Sequence, residues 1–290
     1  MRDKEKVDLH IHSTCSDGTM TPEAICARAA ARGVGLMAIC DHNCLDALGR
    51  LEATARKEKL RWVTGVELDC GFENRVYHVL GYGFSAKDAA FRKLVRENRR
   101  KLDQMSVDLL KRMEEDFPQV SLEEFLRYPN NPARGGWAAL NYFLDKGIAS
   151  NFDEVMQLYG KYKCSYAKAG FVSMEEACAA IHAAGGRAVL AHPGYSIKGD
   201  RSQYQAALRR MLLCGLDGIE CYYPLHTPQQ REDALALCRE RDLLITSGSD
   251  CHGDFQKTYE GGILDIGVND TRWEEIRLGD IAVQGENEEK

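Results

Sequence analysis

The chain has 290 residues, of which 44% are apolar and 28% charged, with a formal net charge of −6. That is the make-up of an ordinary soluble protein with one large α/β domain, or one domain plus an insertion. It argues against a broad basic surface for nucleic acid, so an anionic substrate would be held locally, by metal ions and a few basic side chains.

The first strand is expected at Val7–His12, where alternation places Asp8, His10 and His12 on one face. Before it, the charged start Met1–Lys6 does not resemble a secretory leader. Thr21-Pro22 then opens a helix that Gly33 closes. Gly35–Cys40 reads as a buried strand running into Asp41-His42, followed by a helix over Leu45–Lys59 and a strand over Trp62–Glu67. After a turn at Gly71–Asn74, Val76–Tyr82 reads as another strand.

From Ala86 the character changes to a long charged helical run (Asp88–Glu115), a capping box at Ser121–Glu124, and helices over Trp137–Lys146 and Phe152–Gly160. Residues 86–168 are therefore expected to form a helical insertion capping the mouth of a barrel built from 1–85 and 169–290. Arg134 and Lys168 are its candidate substrate-binding residues.

The alternation resumes with a capping box at Ser173 and Glu176, a helix to Gly185-Gly186, and the strand Arg187–His192 turned by Pro193-Gly194. A helix over Tyr204–Cys214 leads to the strand Asp217–Tyr222, and Thr227-Pro228 caps a helix to about Asp242. Leu243–Asp250 is the last strand, Cys251-His252 follow it, and the acidic tail Glu286–Lys290 is expected to fray.

No apolar run approaches the ~20 residues that span a bilayer. The cysteines are odd in number, scattered, and without a CxxC pair, which speaks against a disulfide framework or a zinc knuckle. Cys26, Cys178, Cys214 and Cys238 are expected as buried small hydrophobes. A cytoplasmic location is expected.

The ends of these strands collect His10, His12, Asp17, Asp41, His42, Glu67, His78, His192, Glu220, Asp250 and His252, which include six of the eight histidines. Barrel and open-sheet enzymes place their chemistry at strand C-termini. Neutral imidazole binds first-row metals, and so large a nitrogen and oxygen set exceeds what one ion needs. Two or three ions sharing a bridging carboxylate is the economical reading, an arrangement that suits phosphoryl transfer. His182, in mid-helix, is left to packing.

The motifs Asp8-Leu9-His10-Ile11-His12, Ser16-Asp17-Gly18, Thr21-Pro22-Glu23, Asp41-His42, Gly65-Val66-Glu67, Ala191-His192-Pro193-Gly194, Asp217-Gly218-Ile219-Glu220 and Gly248-Ser249-Asp250-Cys251-His252, in that order, resemble the polymerase and histidinol phosphatase (PHP) superfamily, and its stand-alone phosphoesterases in particular. The resemblance implies a distorted seven-stranded β/α barrel with a trinuclear metal centre. His10, His12, Glu67 and Asp250 would hold one divalent ion; Glu67, shared with it, would hold a second with His78 and His192; Asp17, His42 and His252 would hold a third. Manganese, zinc or iron would suit these ligands. The implied reaction is hydrolysis of a phosphate mono- or diester of a small phosphorylated sugar or nucleotide by a hydroxide bridging the metals. His226 is the candidate acid for the leaving alkoxide, and Asp41 either orients His42 or its neighbours or only caps the loop. Relatives acting on nucleoside bisphosphates or small RNAs carry Arg-Pro-His where this chain has Arg134-Gly135-Gly136-Trp137, and others hydrolyse cyclic phosphodiesters of phosphorylated sugars. An amidohydrolase-like deaminase and a non-catalytic binding barrel are the alternative readings; against the first, no mid-chain lysine stands at a strand end.

Overall fold

The computed structural model describes residues 5–258 and 264–285; the tail Glu286–Lys290, expected to fray, lies outside them. Eight strands among the described residues form two sheets rather than one seven-stranded barrel wall. β1 (Lys6–Ile11), β2 (Val34–Ile39) and β3 (Arg61–Trp62) are parallel, with α1 (Pro22–Ala31) and α2 (Leu48–Glu58) between them. β4 (Gly65–Phe72) and β5 (Arg75–Tyr82) form an antiparallel hairpin, whose turn residues Glu73 and Asn74 have φ of 46° and 62°, as a tight primed turn requires.

The expected single strand Trp62–Glu67 is thus two strands in two sheets. The chain crosses over at Val63-Thr64, where Gly83 N–H donates to the Thr64 carbonyl, and Gly65 passes so close to Cys40 that a Cβ would lie 2.6 Å from its sulfur.

Between Tyr82 and Arg187 the described chain holds no strand. It runs through α3 (Ala89–Met113), α4 (Leu122–Leu126), α5 (Ala138–Asp145), α6 (Phe152–Lys161) and α7 (Met174–Ala183). Leu109, Leu110, Leu140, Phe143, Val155 and Tyr159 give α3, α5 and α6 a buried cluster of their own, against which Leu122 and Phe125 of α4 pack and which Phe255 joins from the far end of the chain. α7 opens on the expected capping box of Ser173 and Glu176.

β6 (Arg187–Leu190) pairs antiparallel with β5 and parallel with β7 (Gly218–Tyr222), which pairs parallel with β8 (Leu244–Ser247). α8 (Pro193–Ser196), α9 (Arg201–Leu212) and α10 (Pro228–Arg241) connect them, the last opened by a capping box of Thr227 and Gln230. Cys26, Cys178, Cys214 and Cys238 are buried, as their apolar settings predict.

Leu9, Ala38, Leu80, Val189 and Ala191 form a buried layer that both sheets share. Backbone bonds stitch the sheets at two seams, both near strand ends. Asp250 N–H donates to the His10 carbonyl (2.8 Å) and His12 N–H to that of Cys251 (3.0 Å); Asn43 N–H donates to the Glu67 carbonyl (2.8 Å). Because the seams run through ligand-type residues, the packing that joins the sheets also gathers those side chains. No described helix is long and apolar enough to cross a membrane.

Candidate metal centre

Glu67 is the hub. Fully buried on β4, it places Oε1 2.9 Å from His78 Nδ1 and 3.1 Å from His192 Nε2. Its Oε2 lies 3.3 Å from His10 Nε2, 3.1 Å from His12 Nε2 and 3.3 Å from His42 Nδ1. Asp250 Oδ1 closes the first group, 3.4 Å from His10 Nε2 and 3.1 Å from His12 Nε2. On the other side of His12, Asp17 Oδ2 stands 3.4 Å from His252 Nε2 and 3.9 Å from His42 Nε2.

The ligand-type atoms therefore fall into compact groups: His10, His12, Glu67 and Asp250; Glu67, His78 and His192; Asp17, His42 and His252 with His12; and His42, Asp69 and His78. In each, all the candidate atoms lie within 4.8 Å of one another. Three residues that deliver or brace the centre sit at positive φ, namely Asn43 (45°), His192 (29°) and Asp250 (55°). Such backbone strain is characteristic of functional sites.

The charges are arranged as an ionic lattice. Burial would drive Glu67 toward its neutral form, but the imidazoles of His42, His10 and His78 hold it well below the usual carboxylate range. Burial likewise opposes ionisation of Asp17, and His252 and His42 overcome it. Burial works against a charged His42, yet Glu67 and Asp17 raise it to about 9. Glu67 Oε2, His42 Nδ1 and Asp69 Oδ1 are buried and lack a hydrogen-bond partner. A dense set of imidazole nitrogens and carboxylate oxygens, with a bridging carboxylate oxygen left unsatisfied, is the donor set of divalent cations.

Further groups brace the candidate ligands. Glu220, fully buried, lies 3.0 Å from His10 Nδ1 and accepts from His192 N–H (2.7 Å). Ser196 Oγ is 2.8 Å from His192 Nδ1, and the Tyr223 hydroxyl donates to Asp250 (3.3 Å). Asp69 Oδ1 lies 3.3 Å from His42 Nδ1 and the Tyr166 hydroxyl 3.2 Å from His78 Nε2, and attention to strand ends alone misses both residues. Asp69 has a legible signal, standing two residues after Glu67 on one strand face; Tyr166 has none.

Asp41 does not touch His42. Its carboxylate accepts from Ser13 N–H (2.7 Å), Ser13 Oγ (2.7 Å) and Ser16 Oγ (2.5 Å), so it braces the loop that delivers Asp17. His226 is not placed as an acid. Its Nε2 accepts from Gly194 N–H (3.1 Å) and its Nδ1 lies 3.1 Å from the Cys221 carbonyl, with burial lowering its pKa to about 4. The neutral ring braces the turn after His192.

Arg134 does not point into the site either. It pairs with Asp145 (2.9 Å) and Tyr128 (3.2 Å). The glycines after it pack closely against the loop that carries Asp17: Gly136 N–H donates to the Asp17 carbonyl (2.8 Å), and a Cβ on Gly135 would meet Phe255 at 2.6 Å. Lys168, exposed, belongs to a separate basic cleft of about 460 Å³ with Arg100, Lys101, Arg112 and Lys163.

Above the centre lies a cleft of about 400 Å³ with Asp17, His42 and His78 in its floor. The helical segment supplies walls from Met105, Trp137, Phe152, Met156 and Tyr159, and Tyr195 faces them. Arg99 also lines it, whereas no lysine does.

The PHP domain pattern matches residues 8–213. A 5'-3' exoribonuclease of Haemophilus influenzae is 28% identical over 91% of this chain and 94% of its own. A 3',5'-nucleoside bisphosphate phosphatase of Chromobacterium violaceum is 30% identical over 85% of this chain and 87% of its own. A phosphoribosyl 1,2-cyclic phosphate 1,2-diphosphodiesterase of Eggerthella lenta is 29% identical over 88% and 97%. In three dimensions, an amidohydrolase from Chromobacterium violaceum, solved with bound sulfate and no metal, superposes with a TM-score of 0.69 at 25% identity, covering 90% of this chain and 92% of that one. The chain belongs to the PHP domain family and is related to its stand-alone phosphoesterases.

Proposed function

We propose that this protein is a metal-dependent phosphoesterase that hydrolyses a phosphate mono- or diester of a small phosphorylated sugar or nucleotide. The observation that carries this reading is Glu67, one buried carboxylate whose two oxygens serve two separate groups of imidazoles. In this reading the two stitched sheets are the wall of a distorted barrel, and 86–168 is its cap.

His10, His12, Glu67 and Asp250 would hold one divalent ion, Glu67, His78 and His192 a second, and Asp17, His42 and His252 a third, with manganese, zinc or iron suited to the mixed ligands. Bound there, such ions supply activated water at neutral pH and neutralise phosphoryl oxygens.

The protein's own groups do the rest. The apolar cleft walls exclude water and seat the organic part of the substrate. Arg99, which lines the cleft beside its ion-pair partner Asp103 (3.2 Å), would have to exchange that carboxylate for a substrate phosphate to bind it. Tyr166, whose phenol burial pushes well above its usual range, stays protonated 3.2 Å from His78 Nε2 in the wall of the cleft.

The test is phosphate release by manganese-loaded protein from a panel of 3',5'-bisphosphates and cyclic phosphates. Hydrolysis of none of them, by protein shown to carry metal, would sink the reading. A second reading, an oligonucleotide substrate, is favoured by the basic cleft, which shares Met105 with the cleft above the centre. Shortening of a labelled RNA strand with steep salt dependence would support it.

A further inference from the structure

We infer that Asp69 is a positioning residue, one carboxylate that fixes two metal-holding histidines belonging to different ions. The inference rests on the three-ion reading above.

Asp69 follows Glu67 by two residues on β4, so both side chains leave the strand on the same face. Its cross-strand partner on β5 is His78. The side chain is fully buried. Asn43 Nδ2 donates to Oδ2 at 2.5 Å, and Asn43 Oδ1 accepts from the Asp69 N–H (3.2 Å) and from Asn98 (2.8 Å). That clamp aims Oδ1 into the centre, 3.3 Å from His42 Nδ1 and 3.5 Å from His78 Nε2, and the Tyr166 hydroxyl approaches the same carboxylate.

His42 Nδ1 also lies 3.3 Å from Glu67 Oε2 and His78 Nε2 3.2 Å from the Tyr166 hydroxyl, while the opposite nitrogens face the other candidate ligands. His78 turns Nδ1 toward Glu67 and His192, and His42 turns Nε2 toward Asp17. An imidazole that gives one nitrogen to a metal carries its proton on the other, and that N–H needs an acceptor. Asp69 Oδ1 and His42 Nδ1 are both buried and both without a hydrogen-bond partner. Metal on the far nitrogens would set the tautomers so that both N–H groups face this one oxygen, at 3.3 and 3.5 Å, the second shared with the Tyr166 oxygen at 3.2 Å. A single acceptor then couples the second ion's site to the third's. A fourth ion held by His42, Asp69 and His78 would demand that both rings bind metal through both nitrogens, which requires each ring to lose its last proton.

The test is Asp69→Asn. The amide keeps its oxygen toward Asn43 and turns an NH2 toward the two N–H groups, so donors face donors. Manganese titration by calorimetry, with elemental analysis of saturated protein, should find the same number of ions as in the parent. Two of them should bind ~10- to 100-fold more weakly, the loss usual for an outer partner of a ligand histidine, while the ion of His10, His12 and Asp250 is unaffected. Unchanged affinities would overturn the inference, and so would the loss of one whole ion at saturation, which would make Asp69 a direct ligand. Should Asp69→Asn fail to fold by circular dichroism, Asn43→Gly, which keeps the positive φ, should weaken the same two ions, and unaltered binding there would be equally decisive. The readout is metal affinity, so it stays interpretable even if no phosphate ester proves to be a substrate.

Discussion

Glu67 Oε1 and His192 Nε2 meet at 3.1 Å although 125 positions separate them in the chain. The contact joins the hairpin strand β4 to the turn after β6, and it makes the carboxylate common to two ligand groups. Glu67→Gln keeps the volume but removes the charge and one acceptor. It should lower turnover by more than ~100-fold, beyond the loss usual for an outer partner, and reduce bound metal by more than one equivalent. His192→Ala should remove one. Elemental analysis beside phosphate-release kinetics distinguishes these outcomes. Equal metal content in parent and Glu67→Gln would contradict the shared role.

Most of that centre was legible because its residues are chemically rare and mostly stand near strand ends; Glu67, near the start of β4, and His78, in the middle of β5, do not follow that rule. Two imidazoles at a spacing of two, an acid closing Gly65-Val66-Glu67, and Asp250 with His252 after the last strand each imply the centre without any coordinates. Three-dimensional partners were not legible. Arg134 and Lys168 are long, flexible and common on surfaces, so only packing decides where they point; Asp145 captures the first and the basic cleft takes the second. His226 follows a strand end like the true cluster members, yet backbone groups of Gly194 and Cys221 claim both its nitrogens. The break at Val63-Thr64 was hidden because both halves are apolar and extended; it marks a change of partner sheet, not of local preference.

Removal of metal should cost stability as well as turnover. A ligand that binds only the folded chain stabilises it by ~2.7 kcal/mol when present at 100 times its dissociation constant. For a domain of this size each kcal/mol moves the melting temperature by about 2–4 °C. Chelation should therefore lower the melting temperature by several degrees, and manganese or zinc should restore it. A melting curve indifferent to chelator and to added ions would be incompatible with a filled centre.

Met156 on α6 lines the cleft and is 39% exposed, so it can be changed with little effect on packing. Met156→Glu places a negative charge beside the path of an anionic substrate. The KM for phosphate esters should rise several-fold, with kcat little changed and stability altered by less than ~0.5 kcal/mol. An unchanged KM would mean that the substrate does not enter by the cleft formed with the helical segment.

His226, which braces the turn after His192, makes a pH dependence of stability testable. Its Nε2 accepts from Gly194 N–H, so a proton added there would confront another donor, and burial already opposes the charge. The folded pKa is about 4 against 6.5 for the free side chain. Between those values the unfolded chain binds more protons, so this residue's contribution is complete above pH 6.5 and is lost as pH falls through 4, by up to ~3 kcal/mol. His226→Gln should be less stable than the parent at pH 7 by ~1–2 kcal/mol, the worth of the lost bonds. Because glutamine does not titrate, that gap should shrink as the pH is lowered from 6.5 toward 4. Urea unfolding of both proteins at matched pH measures it, and the comparison cancels acid-sensitive groups that do not interact with the ring. A gap that stays constant or widens on acidification would show that the ring is not held neutral.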